Sequence, residues 1–75
     1  MKEKQAIQIQ NKLIDAFIAR RKALGLSHEK LAEKAGLHRT AISHIENRRR
    51  NPTLLNCLKI AEAMGCRLSD LLNKN

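Results

Sequence analysis

Three glycines and one proline interrupt the 75-residue chain at short intervals. Glycine leaves the helical region of backbone space easily, and proline lacks the backbone donor that a helix interior requires. Between Gly25, Gly36, Pro52 and Gly65, hydrophobic residues recur at steps of three and four, which is the period of an amphipathic helix. The pattern predicts an all-α fold, a compact five-helix domain without a sheet, and it assigns residues 1–75 to a single domain.

Caps and apolar stripes place the five predicted helices. The first is expected from about Asn11 to Leu24, and the second begins after Ser27, whose hydroxyl can cap it. Gly36 leaves only a tight turn before the third helix, so the second and third form a helix-turn-helix unit. Thr53 can cap the fourth helix, and the pair Ser69-Asp70 opens the last. The predicted buried positions of the fourth helix are Leu54 or Leu55, Leu58, Ala61 and Met64.

The chain is strongly basic, with 15 lysine and arginine residues against 7 aspartate and glutamate residues, a formal net charge of +8. Such an excess in so short a chain indicates a polyanionic partner. No apolar run approaches the roughly 20 residues that a membrane span requires. The charged start of the chain also lacks the hydrophobic region of a signal peptide. The expected location is the cytoplasm, with no membrane partner.

The chain offers few groups for metal or catalytic chemistry. Cys57, Cys66 and the three histidines do not have the spacing of a recognised zinc site. The neighbours Ser27, His28 and Glu29 stand at a helix start, which directs their side chains apart, and no glycine-rich phosphate loop occurs. We therefore expect no metal, no cofactor and no enzymatic activity, with both cysteines reduced.

One side of the third helix carries five polar residues, none of them acidic: Arg39, Thr40, Ser43, His44 and Asn47. Such a face suits the major groove of DNA, where arginine pairs with guanine and a threonine methyl group packs on thymine. The alternative is an ordinary solvated helix surface. We predict that base contacts come from Arg39, Thr40, Ser43 and His44.

A second set of residues is suited to the phosphate backbone. Asn47 ends the polar face, and Arg48, Arg49 and Arg50 follow it in a basic loop, of which one or two are expected to reach phosphate. His28 stands in the first turn of the second helix, where backbone N–H groups favour an anion. The alternative is that His28 is an exposed residue at the start of the helix without a phosphate contact.

The segment from Gly25 to Leu54, continued in residues 59–63 and 68–72, resembles the Cro and phage-repressor (Xre-type) helix-turn-helix family. The likeness spans about residues 13–72 and leaves residues 1–12 as an N-terminal extension. It implies a phage-repressor-like fold of five helices that binds DNA as a dimer. Within the family, Arg39-Thr40-Ala41-Ile42-Ser43 is most similar to the recognition helix of restriction-modification controller proteins.

The resemblance also implies a structural ion pair inside the fold. Arg21 and Glu46 match the positions of such a pair in phage repressors, which assigns Arg21 to the architecture rather than to DNA. At the position of His28 the family often has glutamine.

Two sets of apolar residues are candidates for a dimer contact. Ile7, Ile14 and Ile18 lie at steps of four and seven residues near the start of the chain. Leu71 and Leu72 form a competing patch at its end. The sequence leaves both sets open, with packing against the core as the alternative for the first.

Together these features predict a sequence-specific double-stranded DNA-binding transcriptional regulator. A homodimer would place its recognition helices, at about residues 38–46, in major grooves of a roughly palindromic operator with half-site centres about 34 Å apart. The alternative is an antitoxin-type protein-interaction module, which binds a toxin partner and uses DNA binding for autoregulation.

Overall fold

A computed structural model describes residues 1–73, and these form five α-helices: α1 (Glu3–Ala23), α2 (His28–Ala35), α3 (Arg39–Glu46), α4 (Leu54–Ala63) and α5 (Leu68–Leu72). No strand occurs within this range. The all-α prediction of five helices with a helix-turn-helix unit is confirmed. None of the helices in residues 1–73 is long and apolar enough to cross a membrane.

The turn between α2 and α3 depends on the left-handed conformation of Gly36, whose φ is 70°. A side chain at this position would meet no other atom, so the backbone angle alone favours glycine there. The next residue, Leu37, donates its backbone N–H to Ala32 O at 2.9 Å, which closes the end of α2. Only three residues therefore separate the end of α2 from the start of α3.

Two of the predicted N-caps form hydrogen bonds at the start of their helices. Ser27 Oγ accepts from the Lys30 N–H at 3.0 Å, and Thr53 Oγ1 accepts from the Asn56 N–H at 3.1 Å. Each hydroxyl satisfies one of the backbone donors that a first helical turn leaves without a partner. By contrast, His38, the residue before α3, forms no capping hydrogen bond with its side chain.

The hydrophobic core lies where α1, α2, α3 and α4 meet. α2 packs on α3 and α4, and α1 packs on α3 and α5. The largest core side chains are each at most 2% exposed: Ile14, Phe17, Leu31, Ile42, Ile45 and Ile60. Burial of each such side chain stabilises the fold by about 1.5–3 kcal/mol. This core fixes α3 on the surface with its apolar side inward.

α1 begins at Glu3 rather than near Asn11, so most of the N-terminal extension is helical. Residues 3–12 carry few apolar side chains but several glutamine and lysine residues, which favour a helix intrinsically. Elongation from an existing helix also costs far less than nucleation. The Lys2 N–H donates to Gln5 Oε1 at 3.1 Å and so stabilises the first turn.

Two further positions differ from the expectation. α5 begins at Leu68 rather than at Ser69, and Asp70 Oδ2 accepts from the Arg67 N–H at 3.0 Å. In α4 the buried residues are Cys57, Ile60, Ala61 and, just after its end, Met64. The prediction was right for Ala61 and Met64 but wrong for three leucines, which are 49–69% exposed: Leu54, Leu55 and Leu58.

Candidate nucleic-acid interface

α3 separates apolar from polar residues by face. Ala41, Ile42 and Ile45 are 8%, 1% and 1% exposed and pack into the core. The polar residues of the predicted face lie away from this stripe, with Arg39, Thr40 and Asn47 exposed and Ser43 and His44 partly buried. Among these five side chains the only hydrogen bond is a long one, from Asn47 Nδ2 to Ser43 Oγ at 3.4 Å. The face is therefore available to a ligand along its length.

A cleft of about 470 Å³ separates the start of α2 from the polar face of α3. It is lined by Ser27, His28, Glu29, Arg39, Thr40 and Ser43. Three of the four predicted base-contact residues thus line the same cleft as His28, a predicted phosphate contact. His44, the fourth, does not line it.

Arg21 and Glu46 form a bidentate ion pair that ties α1 to the end of α3. Arg21 Nε donates to Glu46 Oε2 at 2.7 Å, and Nη2 donates to Oε1 at 3.0 Å. Nη1 donates to Leu26 O at 2.8 Å, which fixes the turn between α1 and α2 as well. The two side chains are only 12% and 9% exposed. Arg21 is therefore engaged inside the fold.

The Glu46 carboxylate also contacts His28, whose Nε2 lies 2.9 Å from Oε1. Burial by itself raises the pKa of Glu46, but the hydrogen bonds and charges of Arg21 and His28 outweigh burial and lower it. The carboxylate is thus ionised at neutral pH. One ring nitrogen of His28 is directed to Glu46, while the side chain remains 39% exposed beside the cleft.

The basic loop after α3 is held against α1. Arg48 adopts a left-handed conformation with φ of 58°, and its Nη2 lies 2.6 Å from Asp15 Oδ1. Gln10 Nε2 donates to Asn51 Oδ1 at 3.0 Å. The guanidinium of Arg48 therefore faces α1. Arg49 and Arg50 are exposed and form no ion pair with any residue in 1–73.

The structure divides the predicted dimer contacts into buried and exposed residues. Ile14 and Leu71 are 1% and 7% exposed and belong to the core, so neither has a surface to offer to a second protomer. Ile18 is partly buried and packs on the same core. Ile7 and Leu72 remain, at 49% and 48% exposed. The two candidate sets are thus reduced to one residue each with a free surface.

Leu72 lines an apolar groove of about 320 Å³ that was not predicted from the sequence. Its lining includes Ile9 from α1, Leu54 and Cys57 from α4, and Leu68 from α5, with no charged side chain. Ile9 and Leu54 are 43% and 69% exposed. The signal in the sequence was the surplus of apolar positions in α4, which exceeds what one buried face of a ten-residue helix can hold.

No metal site is present in the part of the chain that the structure describes, since no three potential ligands cluster there. Cys57 is 5% exposed, and burial raises the pKa of its thiol. A neutral, buried thiol acts as a small hydrophobic residue rather than as a nucleophile.

Comparison with known proteins adds independent information on this architecture. A family model described as helix-turn-helix matches residues 18–71. The control protein C.BamHI of Bacillus amyloliquefaciens is 50% identical over 48 residues, which cover 64% of this chain and 59% of the relative. The control protein C.SmaI of Serratia marcescens is 43% identical over 49 residues, covering 65% and 58%.

An uncharacterised HTH-type transcriptional regulator of Methanothermobacter thermautotrophicus is 44% identical over 45 residues, which cover 60% of this chain and 65% of the relative. In all three cases the chain spans less than two thirds of the relative's own length. The matches confirm the predicted resemblance to helix-turn-helix controller proteins.

Proposed function

The chain belongs to the helix-turn-helix family, and from this premise we propose that it is a sequence-specific double-stranded DNA-binding transcriptional regulator. The observation that carries the proposal is the polar face of α3, which is exposed beside the cleft at the start of α2. The similarity to control proteins and to an HTH-type transcriptional regulator supports the same role. The net charge of +8 suits a polyanion.

In this proposal α3 enters the major groove with its N-terminal half leading. Arg39 and Thr40 stand in its first turn, are exposed and line the cleft, so they meet base edges first. Ser43 and His44 follow one turn later on the same side. A bidentate contact from Arg39 to guanine would contribute about 1–3 kcal/mol of discrimination against other bases.

Phosphate contacts are proposed for Asn47, which ends the polar face of α3, and for Arg49, Arg50 and His28, which flank it. Arg49 and Arg50 carry free positive charges at the end of this face. Arg48 contributes less than these two, because Asp15 already neutralises its guanidinium. Release of counterions from each neutralised phosphate makes the affinity fall as the salt concentration rises.

We propose further that the regulator acts as a homodimer through the apolar groove between α1, α4 and α5. A two-fold interface brings the same surface of both protomers together. The lining of the groove has no charged side chain, so two copies that each carry a net charge of +8 can approach there without like charges in contact. Leu72 and Leu54 would supply the apolar contact.

The oligomeric state tests this interface. Leu72→Glu places a charge in the proposed contact and should convert a dimer into a monomer in sedimentation equilibrium. Ile7→Glu is the matched control, because it changes an equally exposed isoleucine outside the groove lining. Dissociation by the control alone would assign the interface to the N-terminal half of α1. A monomeric wild-type protein would favour the antitoxin-type alternative, in which the groove receives a different protein.

Selection of bound duplexes from a randomised pool, at about 0.15 M salt, tests the function itself. The wild-type protein should enrich a palindrome, and Arg39→Ala should lose the preference at one base position of each half-site. Arg67→Ala is the charge-matched control, since it removes the same charge from an exposed site outside the cleft and should keep every preference. Equal weakening on all sequences in Arg39→Ala would refute the base-reading role.

A further inference from the structure

The hydrogen bond between His28 and Glu46 determines which ring nitrogen of His28 carries a proton. A carboxylate without a proton only accepts hydrogen bonds. Glu46 is held in that form by Arg21, which donates to both of its oxygens at 2.7 and 3.0 Å. At the 2.9 Å contact with Glu46 Oε1, His28 Nε2 must therefore be the donor.

This assignment determines the hydrogen-bonding capacity of the second ring nitrogen. A neutral imidazole has one N–H donor and one acceptor nitrogen. Because Nε2 carries the hydrogen, Nδ1 of neutral His28 has a lone pair and is an acceptor. A phosphate oxygen is also an acceptor, so the two repel each other. Only after uptake of a proton does Nδ1 become a donor that can bind phosphate.

We propose that His28 contacts a DNA phosphate only as the imidazolium ion, so that operator binding takes up a proton at every His28 that is neutral in the free protein. The inference rests on the proposed function, because it concerns a contact within the same DNA interface. The partial exposure of His28 beside Arg39, Thr40 and Ser43 places it where a duplex seated on α3 brings its backbone. Among residues 1–73 only Glu46 is hydrogen-bonded to the imidazole.

The charged groups around His28 come from three helices. Glu46 of α3 contacts the ring, and Glu29 of α2 and Arg39 of α3 line the same cleft. Arg21 of α1 lies behind Glu46 and is neutralised by it. α4 and α5 contribute no residue to the cleft. In the free protein the negative charge of Glu29 favours the imidazolium form of His28, and the positive charge of Arg39 disfavours it. A bound phosphate adds a further negative charge, which favours the imidazolium.

Glutamine at position 28 would make the same two contacts without a proton. The amide nitrogen of glutamine carries two N–H donors. One can donate to the Glu46 carboxylate and the other to phosphate, at any pH near neutrality. The substitution His28→Gln thus separates the contact from its dependence on protonation.

Fluorescence anisotropy with the enriched palindrome and a scrambled duplex of equal length, at constant ionic strength, tests the proposal. Histidine changes charge between about pH 5 and pH 8. From the strength of a charge-assisted hydrogen bond, we expect affinity for the palindrome to be about ten-fold higher per protomer at about pH 6 than at about pH 8. His28→Gln should remove the part of this difference that comes from position 28, and His44→Gln measures the part that comes from the other histidine of the DNA face.

His38→Gln is the control for histidine replacement as such, because His38 is exposed and lies outside the cleft lining, and it should keep the wild-type ratio. Nitrogen chemical shifts should show both ring nitrogens of His28 protonated in the complex at neutral pH. The proposal would be overturned, while DNA recognition stands, by any of three results. These are a wild-type ratio of affinities between the two pH values near one, the full wild-type ratio in His28→Gln, and a singly protonated His28 ring in the complex. Failure to distinguish the palindrome from the scrambled duplex at both pH values would overturn the proposed function and this inference together.

Discussion

Replacement of Glu46 with alanine probes the contact on which the fold and the DNA interface both depend. The Arg21 guanidinium has three acceptors, namely the two oxygens of Glu46 at 2.7 and 3.0 Å and Leu26 O at 2.8 Å. Glu46→Ala removes the first two. It leaves a positive charge whose side chain is only 12% exposed, with one remaining hydrogen bond.

The expected cost follows from this geometry. Breaking a buried ion pair by removing one partner typically costs about 3–5 kcal/mol. Because Leu26 O stays in place and 12% of the Arg21 side chain already reaches water, we expect the lower end, about 3 kcal/mol. In a domain of this size the melting temperature should fall by roughly 12 °C or more. Thermal and urea unfolding followed by far-ultraviolet circular dichroism measures both quantities.

Glu33→Ala is the matched control, because the Glu33 side chain is 72% exposed and lies 3.7 Å from Lys30 at the surface. Its effect should stay within about 0.5 kcal/mol. If Glu46→Ala costs less than about 1 kcal/mol, the pair behaves as a surface ion pair and the reasoning from burial is refuted. Replacing both partners, as Arg21→Met with Glu46→Leu, should recover most of the loss, because no unpaired charge remains.

Three further predictions concern pH, capping and salt. The pKa of Glu46 is lower in the folded protein than the ordinary 4.5. The stabilising contribution of the Glu46 carboxylate is therefore complete above about pH 4.5 and is lost as the pH falls through the folded pKa. The difference in unfolding free energy between wild type and Glu46→Gln should shrink over that acidic range. Ser27→Ala should cost about 1 kcal/mol in urea unfolding through loss of the α2 cap, while Ser69→Ala, at an exposed site without such a bond, should cost less. Arg49→Ala should reduce the slope of log affinity against log salt by about one, measured on one duplex across salt concentrations, and an unchanged slope would remove Arg49 from the phosphate contacts.

The sequence predicts α2 and α3 well because local chemistry determines them. Each has a single apolar stripe with the helical period, and Ser27 and Gly36 place both ends of α2 through short-range hydrogen bonds. The acid-free polar face of α3 also follows directly, since a stripe that packs inward leaves the remaining positions outside. These local features were sufficient to identify the helix-turn-helix unit and its polar surface.

The less predictable features involve contacts between residues far apart in the chain. Arg48 stands in a run of three arginines, and nothing in that run distinguishes the one that pairs with Asp15 from the two that remain free. The buried side of α4 was ambiguous for a related reason. Its apolar residues occupy more than one face, and the packing of α2 and α5 against α4 accompanies the inward position of Cys57 and the outward position of Leu54.

A single carboxylate thus connects the stability of the fold with the hydrogen-bonding capacity of a DNA contact. If the tautomer of His28 is dictated by Glu46, then the double variant Arg21→Met with Glu46→Leu should release it. With leucine at position 46, no carboxylate holds the hydrogen of the imidazole on Nε2. The hydrogen of neutral His28 is then free to lie on Nδ1, which donates to phosphate without taking up a proton.

The double variant should therefore keep most of the stability of the fold, because no unpaired charge remains, yet bind the palindrome with little dependence on pH. Affinity measured at low temperature, where the variant is folded by circular dichroism, should differ by less than about two-fold between about pH 6 and pH 8, against about ten-fold per protomer for the wild type. The variant changes no residue in the cleft lining, so the effect must pass through the orientation of the imidazole hydrogen. A folded double variant with the full wild-type ratio of affinities would show that Glu46 does not control the proton of His28.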